Sequence, residues 1–309
     1  MPRVTVVIPT FDRSQTILDS VNSVLRQSFT DFELIVVDDC STDDTLSVLD
    51  RIEDRRLRVV THTANRGAGG ARNTGIDNAK GALVAFQDSD DEWLPSKLEK
   101  QVLALDAKGD DWIAVYCGLL VVRDLRQDGD DRFRPRYIPD PRISPVSGHI
   151  SSSLLRGSFV SAQTLIVRRA ALDRVGRFDE TLSALEDWDF ALRLARTGKI
   201  ALVDEPLVFQ RFSHNSISRS EENRVYSYLQ IHNKMKQDAN LPNGVFSYHA
   251  YRISGGLRTI GRYTESLSYI GRCIRLEPFN LKYYATAIYI LIISAINMIR
   301  TNTLHHMSK

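Results

Sequence analysis

Residues 82–91, ALVAFQDSDD, form an apolar run that ends in a cluster of acidic side chains. The run has little apolar–polar alternation, as expected of a strand buried on both faces of a parallel sheet. In open sheets of this kind, ligands bind beyond the carboxyl ends of the strands. The carboxylates of Asp88, Asp90 and Asp91 stand at such an end, where they repel one another unless a cation or ordered donors compensate. The stretch therefore predicts a ligand site at the end of a central strand.

The first hundred residues repeat this pattern of β-rich runs separated by segments with helical spacing. The earlier runs are VTVVI at 4–8, ELIVVD at 33–38 and LRVVTH at 57–62. Such alternation predicts an α/β fold with a mostly parallel sheet flanked by helices. A capping box at residues 41–44 predicts the start of a helix there. Further strands are expected at 112–122, 163–167 and 199–203. Helices are expected at 14–26, 65–79, 168–175 and 186–197. Residues 124–150 are expected to form a mobile surface loop.

Composition bounds the kind of protein and its compartment. The 309 residues, 43% of them hydrophobic, suffice for a large domain with an appendage, and the formal net charge of only +2 gives no sign of a polyanion-binding chain. The three cysteines, Cys40, Cys117 and Cys273, show no metal-ligand spacing. An odd number of widely spaced thiols and no secretory signal at the start predict a cytoplasmic protein.

The C-terminal part changes character, because β signals fade from about residue 220. We therefore expect an α/β domain at 1–215 and a helical region at 216–309. Within that region, residues 283–299 are nearly uncharged and follow several arginines. The segment is short for a membrane-spanning helix, which needs roughly 20 apolar residues. A buried helix, a homodimer interface and a helix lying on the cytoplasmic face of the membrane all remain open.

Three motifs, the acidic run itself and two that precede it along the chain, carry chemistry. Asp88 and Asp90 alternate in an extended segment, so both can face one site, and hard oxygen ligands suit Mg²⁺ or Mn²⁺. A solvated acidic turn is the alternative. The Gly-rich loop at 66–73 lets the backbone approach a phosphate at a helix N-terminus, although it also fits a simple tight turn. The Asp38-Asp39 pair suits either the imide N–H of uracil or thymine or the capping of the next helix.

Four stretches of the sequence resemble, in their order along the chain, the motifs of glycosyltransferase family 2, and the resemblance covers about residues 3–215. They are VTVVIPTFDR, ELIVVDDCSTDDT, NRGAGGARNTGI and ALVAFQDSDDEW. The resemblance implies a GT-A fold and an inverting nucleotide-sugar glycosyltransferase that uses Mn²⁺ or Mg²⁺. It also implies that the domain at 1–215 is catalytic, with a nucleotide half at about 1–110 and an acceptor half at about 111–215. It implies Asp90 as the direct metal ligand, with Asp88 nearer the ribose and the metal, and solvated roles are expected for Asp12 and Arg13. The residues implied at the nucleotide sugar are Pro9, Thr10, Asp39, Arg72, Asp88 and Ser89.

The acceptor half contains a second acidic motif, Glu186-Asp187-Trp188-Asp189. The family carries an acidic pair at this place, which implies Asp187 as the general base and Glu186 beside it. Asp187 shares a helix face with apolar residues, so its carboxylate is expected to point inward, where a base for an acceptor hydroxyl is needed. The alternative interpretation is that these acidic residues only stabilise the first turn of a helix, where negative charge interacts favourably with the helix dipole. His214, which follows the last predicted strand, fits either a contact to metal or diphosphate or a surface histidine.

The favoured function is transfer of a sugar from a UDP- or dTDP-sugar to a glycan or lipid-linked glycan, as in polysaccharide or O-antigen synthesis. A non-catalytic nucleotide-sugar-binding subunit of a membrane glycan-assembly complex is the alternative, against which the intact acidic motifs argue. A sugar-1-phosphate nucleotidyltransferase needs a glycine-bearing loop after the first strand, and IPTFDRS has no glycine. A nucleic-acid partner is the least favoured, given the near-neutral charge and the lack of a recognition module.

Overall fold

The computed structural model describes the backbone of residues 1–123, 134–212, 220–236 and 241–307. The chain forms two compact units, one comprising Met1–Leu182 and Glu186–Ser216, the other Ser183–Leu185 and Ile217–Lys309. Each unit has its own apolar core. A functional boundary between residues 215 and 216 stays a prediction.

A single mixed sheet organises the first unit. Its strands are β1 Val4–Thr10, β2 Phe32–Asp38, β3 Leu57–Thr61, β4 Leu83–Phe86, β5 Glu92–Trp93, β6 Trp112–Arg123, β7 Arg136–Ile138, β8 Leu165–Arg168 and β9 Lys199–Phe212. They follow the order β3-β2-β1-β4-β8-β6-β9-β5, and β7 pairs with β6. The β3-β2-β1-β4 half is parallel, while β8 runs antiparallel to both of its neighbours. The expected α/β fold with a mostly parallel sheet is confirmed.

Helices flank this sheet, as the sequence spacing predicts. They are α1 Ile17–Leu25, α2 Thr45–Leu49, α3 Gly67–Asp77, α4 Lys97–Asp106, α5 Ser151–Leu154, α6 Arg169–Val175 and α7 Glu186–Thr197, with a 3₁₀ turn at Ala162–Thr164. Helix α3 packs closely on β1, because a Cβ at Gly75 would lie 2.2 Å from Cγ1 of Val7. This contact fixes the depth at which α3 presents its other side chains to the sheet.

Three local expectations differ from the structure. Strand β9 continues to Phe212 rather than ending at 203, because its second half pairs with the end of β6 and with β5. The segment 124–150 includes strand β7, while residues 124–133 lie outside the described part. Helix α2 begins at Thr45 without a side-chain cap. The backbone N–H of Ser41 instead donates to Asp38, so the 41–44 capping box is wrong.

The second unit is helical, as expected. It contains α8 Glu221–Met235, α9 Asn243–Thr259, α10 Tyr263–Leu276 and α11 Leu281–Met307. Its core forms where α9 packs on its neighbours, around Leu257 and Ile253 at one end and Ala250 and Cys273 at the other. Within the described ranges, no helix combines the length and the apolar character that crossing a membrane requires.

Candidate active site

The polar residues singled out in the sequence meet at the carboxyl edge of the parallel half-sheet. Thr10 ends β1 beside Asp38, which ends β2, in a register that pairs the two residues. Strand β4 is the other neighbour of β1, and Asp88 follows it after one further residue. The topology alone therefore brings the nucleotide-half motifs to one edge. Pro9 lies inside β1 with its side chain buried, and Ser89 is buried within the acidic turn.

The acidic turn after β4 divides into two partly exposed carboxylates and one buried carboxylate. Asp88 and Asp90 are partly exposed, whereas Asp91 is only 2% exposed. Burial and the charge of Asp88 raise the pKa of Asp90, while Arg13, 3.9 Å away, opposes this rise. The two accessible carboxylates thus form a patch of negative charge beside Arg13 and Arg72, both of which act to lower the pKa of Asp90.

Asp91 anchors the turn to the strands behind it. Its two carboxylate oxygens accept hydrogen bonds from the side chain of Gln163 at 3.1 Å and from the backbone N–H of Arg211 at 3.2 Å. Burial, and then the charges of Asp90 and Asp88, raise its pKa well above the ordinary aspartate value. Asp91 therefore fixes the position of the turn rather than facing the edge of the sheet.

Arg72 joins the two acidic motifs. Its guanidinium donates to Asp88 at 2.7 Å and to Glu186 at 2.7 Å, and only 5% of its side chain is exposed. Burial by itself would lower the pKa of Arg72, but the charges of Asp88 and Glu186 raise it on balance. Helix α3 carries the arginine, β4 leads to Asp88 and α7 begins at Glu186. The acidic residues of the nucleotide half and of the acceptor half therefore share one cation.

Asp187, the expected base, lies next to this bridge. Its carboxylate accepts the backbone N–H of Trp188 at 2.7 Å, and the residue is partly buried. Desolvation by the surrounding protein, followed by the charge of Glu186, raises the pKa of Asp187 to about 7, although Arg72 acts in the opposite direction. A carboxyl group with such a pKa exchanges protons near neutral pH, which is the property that a general base requires.

The other two residues of the second motif have structural contacts. Asp189 is 4% exposed and forms an ion pair with Arg193 at 2.9 Å. Trp188 is 1% exposed, and its indole N–H donates to the carbonyl of Leu154 at 2.8 Å. Both side chains therefore hold α7 in place and face away from solvent.

Asp39 organises the Gly-rich loop that precedes α3. Its carboxylate accepts the backbone N–H groups of Arg66 and Gly67, at 2.9 and 2.7 Å, and lies 2.7 Å from Nδ1 of His62. The other ring nitrogen of His62 contacts the hydroxyl of Thr74. No sequence pattern singles out His62, because its partners are distant along the chain and only the β2–β3 register places it beside Asp39. Asp39 is thus well supplied with donors before any ligand binds.

Asp12 and Arg13 are not the solvated residues that the sequence suggested. Asp12 has a left-handed backbone, with φ of 49°, and its carboxylate accepts the N–H of Thr42 at 2.7 Å. The side chain of Arg13 approaches Asp90. The loop after β1 is consequently fastened to the loop after β2 and directed toward the acidic turn. His214 lies outside the described residues.

Comparison with known proteins identifies the chemistry class to which these motifs belong. A family model for Glycosyl transferase family 2 matches residues 5–175, more than half of the chain. The amylovoran biosynthesis glycosyltransferase AmsB of Erwinia amylovora is 28% identical over 265 residues, covering 80% of this chain and 82% of AmsB. WfgD of Escherichia coli, a UDP-Glc:alpha-D-GlcNAc-diphosphoundecaprenol beta-1,3-glucosyltransferase, is 40% identical over 99 residues, covering 32% of this chain and 39% of WfgD.

Solved structures agree on the fold. TarS 1–349 from S. aureus, in complex with UDP-GlcNAc, superimposes with a TM-score of 0.66 at 22% identity, covering 89% of this chain and 80% of the TarS chain. The mannosyltransferase PcManGT from Pyrobaculum calidifontis, in complex with GDP-Man and Mn²⁺, gives a TM-score of 0.60 at 20% identity, covering 96% of this chain and 86% of its own. At such identities the likeness concerns the fold alone.

Proposed function

Because the chain belongs to glycosyl transferase family 2, it is a glycosyltransferase with a GT-A fold, and we propose that it is an inverting enzyme with Asp187 as its general base. The proposed donor is a UDP- or dTDP-sugar, and the proposed acceptor is a hydroxyl group of a glycan or a lipid-linked glycan. The product would belong to a polysaccharide or O-antigen-type glycan.

The contact of Arg72 with both Asp88 and Glu186 is the observation that carries this proposal. A nucleotide-binding module needs only the first of these acidic motifs. Transfer needs a donor site and a base within reach of one reacting carbon, and Arg72 connects the groups proposed for both. The intact base position beside this bridge also argues against a non-catalytic binding subunit.

The proposed reaction is a direct displacement. The acceptor oxygen forms a bond to the anomeric carbon while the bond from that carbon to the diphosphate oxygen breaks, and the nucleoside diphosphate leaves with the electron pair. Asp187 takes the proton of the acceptor hydroxyl as the nucleophile attacks. One displacement inverts the anomeric configuration, through a transition state with oxocarbenium character.

Asp88 and Asp90 are the residues that would hold a divalent cation. No group of three or more metal-ligating side chains is present among the described residues. However, Mg²⁺ and Mn²⁺ sites of this kind use one or two carboxylates together with substrate phosphates. The raised pKa of Asp90 fits a carboxylate whose charge a cation would relieve. When bound, the ion would neutralise charge on the leaving diphosphate.

The proposed contacts for the nucleotide include Pro9, Thr10, Asp39 and Ser89. The hydroxyl of Thr10 is buried and has no hydrogen-bond partner among the described residues. Asp39 already accepts two backbone N–H groups and contacts His62, so recognition of a nucleobase imide would require it to share or exchange a donor. The Gly-rich loop would then reorganise as the base enters.

The names of two relatives support the proposed acceptor class. AmsB is named for the biosynthesis of amylovoran, and WfgD is named for a diphosphoundecaprenol-linked acceptor. We therefore place the proposed reaction at the cytoplasmic face of a membrane, where a lipid-linked acceptor would be available.

The direct test is turnover of a panel of UDP-, dTDP- and GDP-sugars with Mn²⁺, using diphosphoundecaprenol-linked sugars as acceptors. We expect transfer from an α-linked UDP- or dTDP-sugar, lost on chelation, with a β-linked product identified by ¹H NMR of its anomeric proton. Retention of configuration, or turnover restricted to a GDP-sugar, would contradict the mechanism or the donor, respectively.

A further inference from the structure

Helix α11 has one buried side and one exposed side, on which Lys282 is the one charged residue among the described side chains. Tyr283 and Ile290, which are 6% and 0% exposed, lie on the side that faces the rest of the second unit. At about 100° per residue, the exposed residues cover roughly half of the helix circumference. The uncharged residues among them, which we term the α11 face, are Leu281, Tyr284, Ala285, Ile288, Tyr289, Leu291, Ile292, Ala295 and Ile296.

The α11 face inverts the usual pattern of a surface helix, which turns its polar side to water. The three most exposed residues beyond the first turn, Ile288, Leu291 and Ile292, retain 59%, 55% and 54% of their accessible surface. Phe279, just before the helix, is 94% exposed. Single exposed apolar residues are common, but a contiguous stripe of this kind marks a surface that another body covers.

Positive charge borders the α11 face. Residues 241–309 contain eight Lys and Arg but only two acidic residues, Glu265 and Glu277. Glu265 is bound to Arg262, and Glu277 accepts hydrogen bonds from neighbouring side chains. Two of the cations lie on aromatic rings close to the face. The guanidinium of Arg258 is 5.2 Å from the ring of Tyr289, and Nζ of Lys282 is 4.3 Å from that of Tyr251.

These observations distinguish between two occupants, a second copy of the chain and a lipid surface. A two-fold dimer through the α11 face would bring the same basic border of each copy toward its mate. An anionic bilayer instead compensates that charge while it accepts the apolar side chains. Since the opposite half of α11 packs on protein, the helix cannot be surrounded by lipid.

We propose that α11 lies in the plane of an anionic membrane surface, with the α11 face inserted at the boundary between headgroups and acyl chains. Leu281 to Ile296 would then contact lipid over about 24 Å, at 1.5 Å per residue. The inference rests on the proposed function only in that a lipid-linked acceptor would be found at the same surface.

Vesicle co-sedimentation of the full chain, without donor or acceptor, tests this proposal. We expect binding to vesicles of phosphatidylcholine mixed with phosphatidylglycerol, weakened by salt, and little binding to phosphatidylcholine alone. The double variant I288S/I292S should lose about tenfold or more in affinity, because two apolar contacts are removed from the lipid. The matched control is L18S/L103S, which alters two exposed leucines of the first unit and should bind like the unaltered chain.

Three results would overturn the proposal: no vesicle binding, binding that I288S/I292S leaves unchanged, or equal binding to both kinds of vesicle. A dimer in analytical ultracentrifugation that I288S/I292S dissociates, without vesicle binding, would assign the face to a second copy. Because the assay involves no sugar transfer, its failure leaves the proposed glycosyltransferase reaction standing. Equally, the loss of that reaction would leave the membrane proposal standing.

Discussion

Asp187 combines a pKa near neutrality with a place beside the bridged acidic motifs. As the proposed base it would act only when deprotonated, and its pKa is raised to about 7 by desolvation and Glu186. We therefore predict that kcat/KM rises with pH up to about 7 and then levels off, with about a tenfold fall per pH unit on the acidic side. Rates of sugar transfer across this range, at saturating metal, measure it. A rate independent of pH below about 6 would contradict the assignment.

Arg72 sets the electrostatic environment of that base. Because its positive charge lowers the pKa of Asp187, Arg72→Gln should raise that pKa and move the acidic limb of the profile to higher pH. Arg72→Lys keeps the charge but not the two-pronged contact, so it should shift the limb less. Both variants should lose about 10²-fold in kcat/KM from misplacement of Asp88 and Glu186. Identical pH profiles for the two variants would contradict the electrostatic role.

At the scale of elements, the packing of α3 on β1 positions Arg72. A Cβ at Gly75 would meet Val7 at 2.2 Å, whereas nothing lies within 4 Å of one at Gly255 in α9. We predict that Gly75→Ala lowers the free energy of unfolding by about 1–3 kcal/mol and also reduces transfer. Gly255→Ala, the matched control, should stabilise the chain by about 0.5–1 kcal/mol through helix propensity. Urea unfolding measures both, and equal signs would contradict the packing argument.

The elements themselves were largely predictable from local pattern. Helix α7 has the bounds expected from its spacing, β2 and β3 lie within one residue of their predicted ends, and β1 continues two residues beyond its predicted end. The length of β9 was not predictable, since its second half is a strand only because β6 and β5 provide hydrogen-bond partners. The bond between Arg72 and Glu186 joins residues 114 positions apart. No spacing rule reveals such a partner, which is why the site roles stay proposals.

At the scale of the whole molecule, a near-neutral chain conceals two differently charged parts. Residues 1–240 hold 32 Lys and Arg against 36 Asp and Glu, while residues 241–309 hold eight against two. The near-neutral net charge of the chain is therefore an average over these two parts, and it does not describe the C-terminal helices, which are basic. The acids proposed for catalysis and the basic, apolar α11 face belong to different compact units.

The role proposed for Asp187 is tested most directly by the effect of Asp187→Asn on transfer and on stability together. The folded carboxyl has a pKa of about 7, above the ordinary value of 3.8 that the unfolded chain would have. As pH rises, the unfolded chain therefore loses the Asp187 proton before the folded chain does. The charge of Asp187 destabilises the fold increasingly as pH rises from 3.8 to about 7. Asparagine removes that penalty, so the variant should melt at a higher temperature than the unaltered chain above about pH 7.

In the same variant we predict a loss of transfer by about 10²- to 10⁴-fold, with UDP and Mn²⁺ still raising the melting temperature. Asp110→Asn, the same change at an exposed loop position, should leave activity and melting unchanged. Transfer by the Asp187→Asn variant at the rate of the unaltered enzyme would contradict the central claim that this carboxylate is the base.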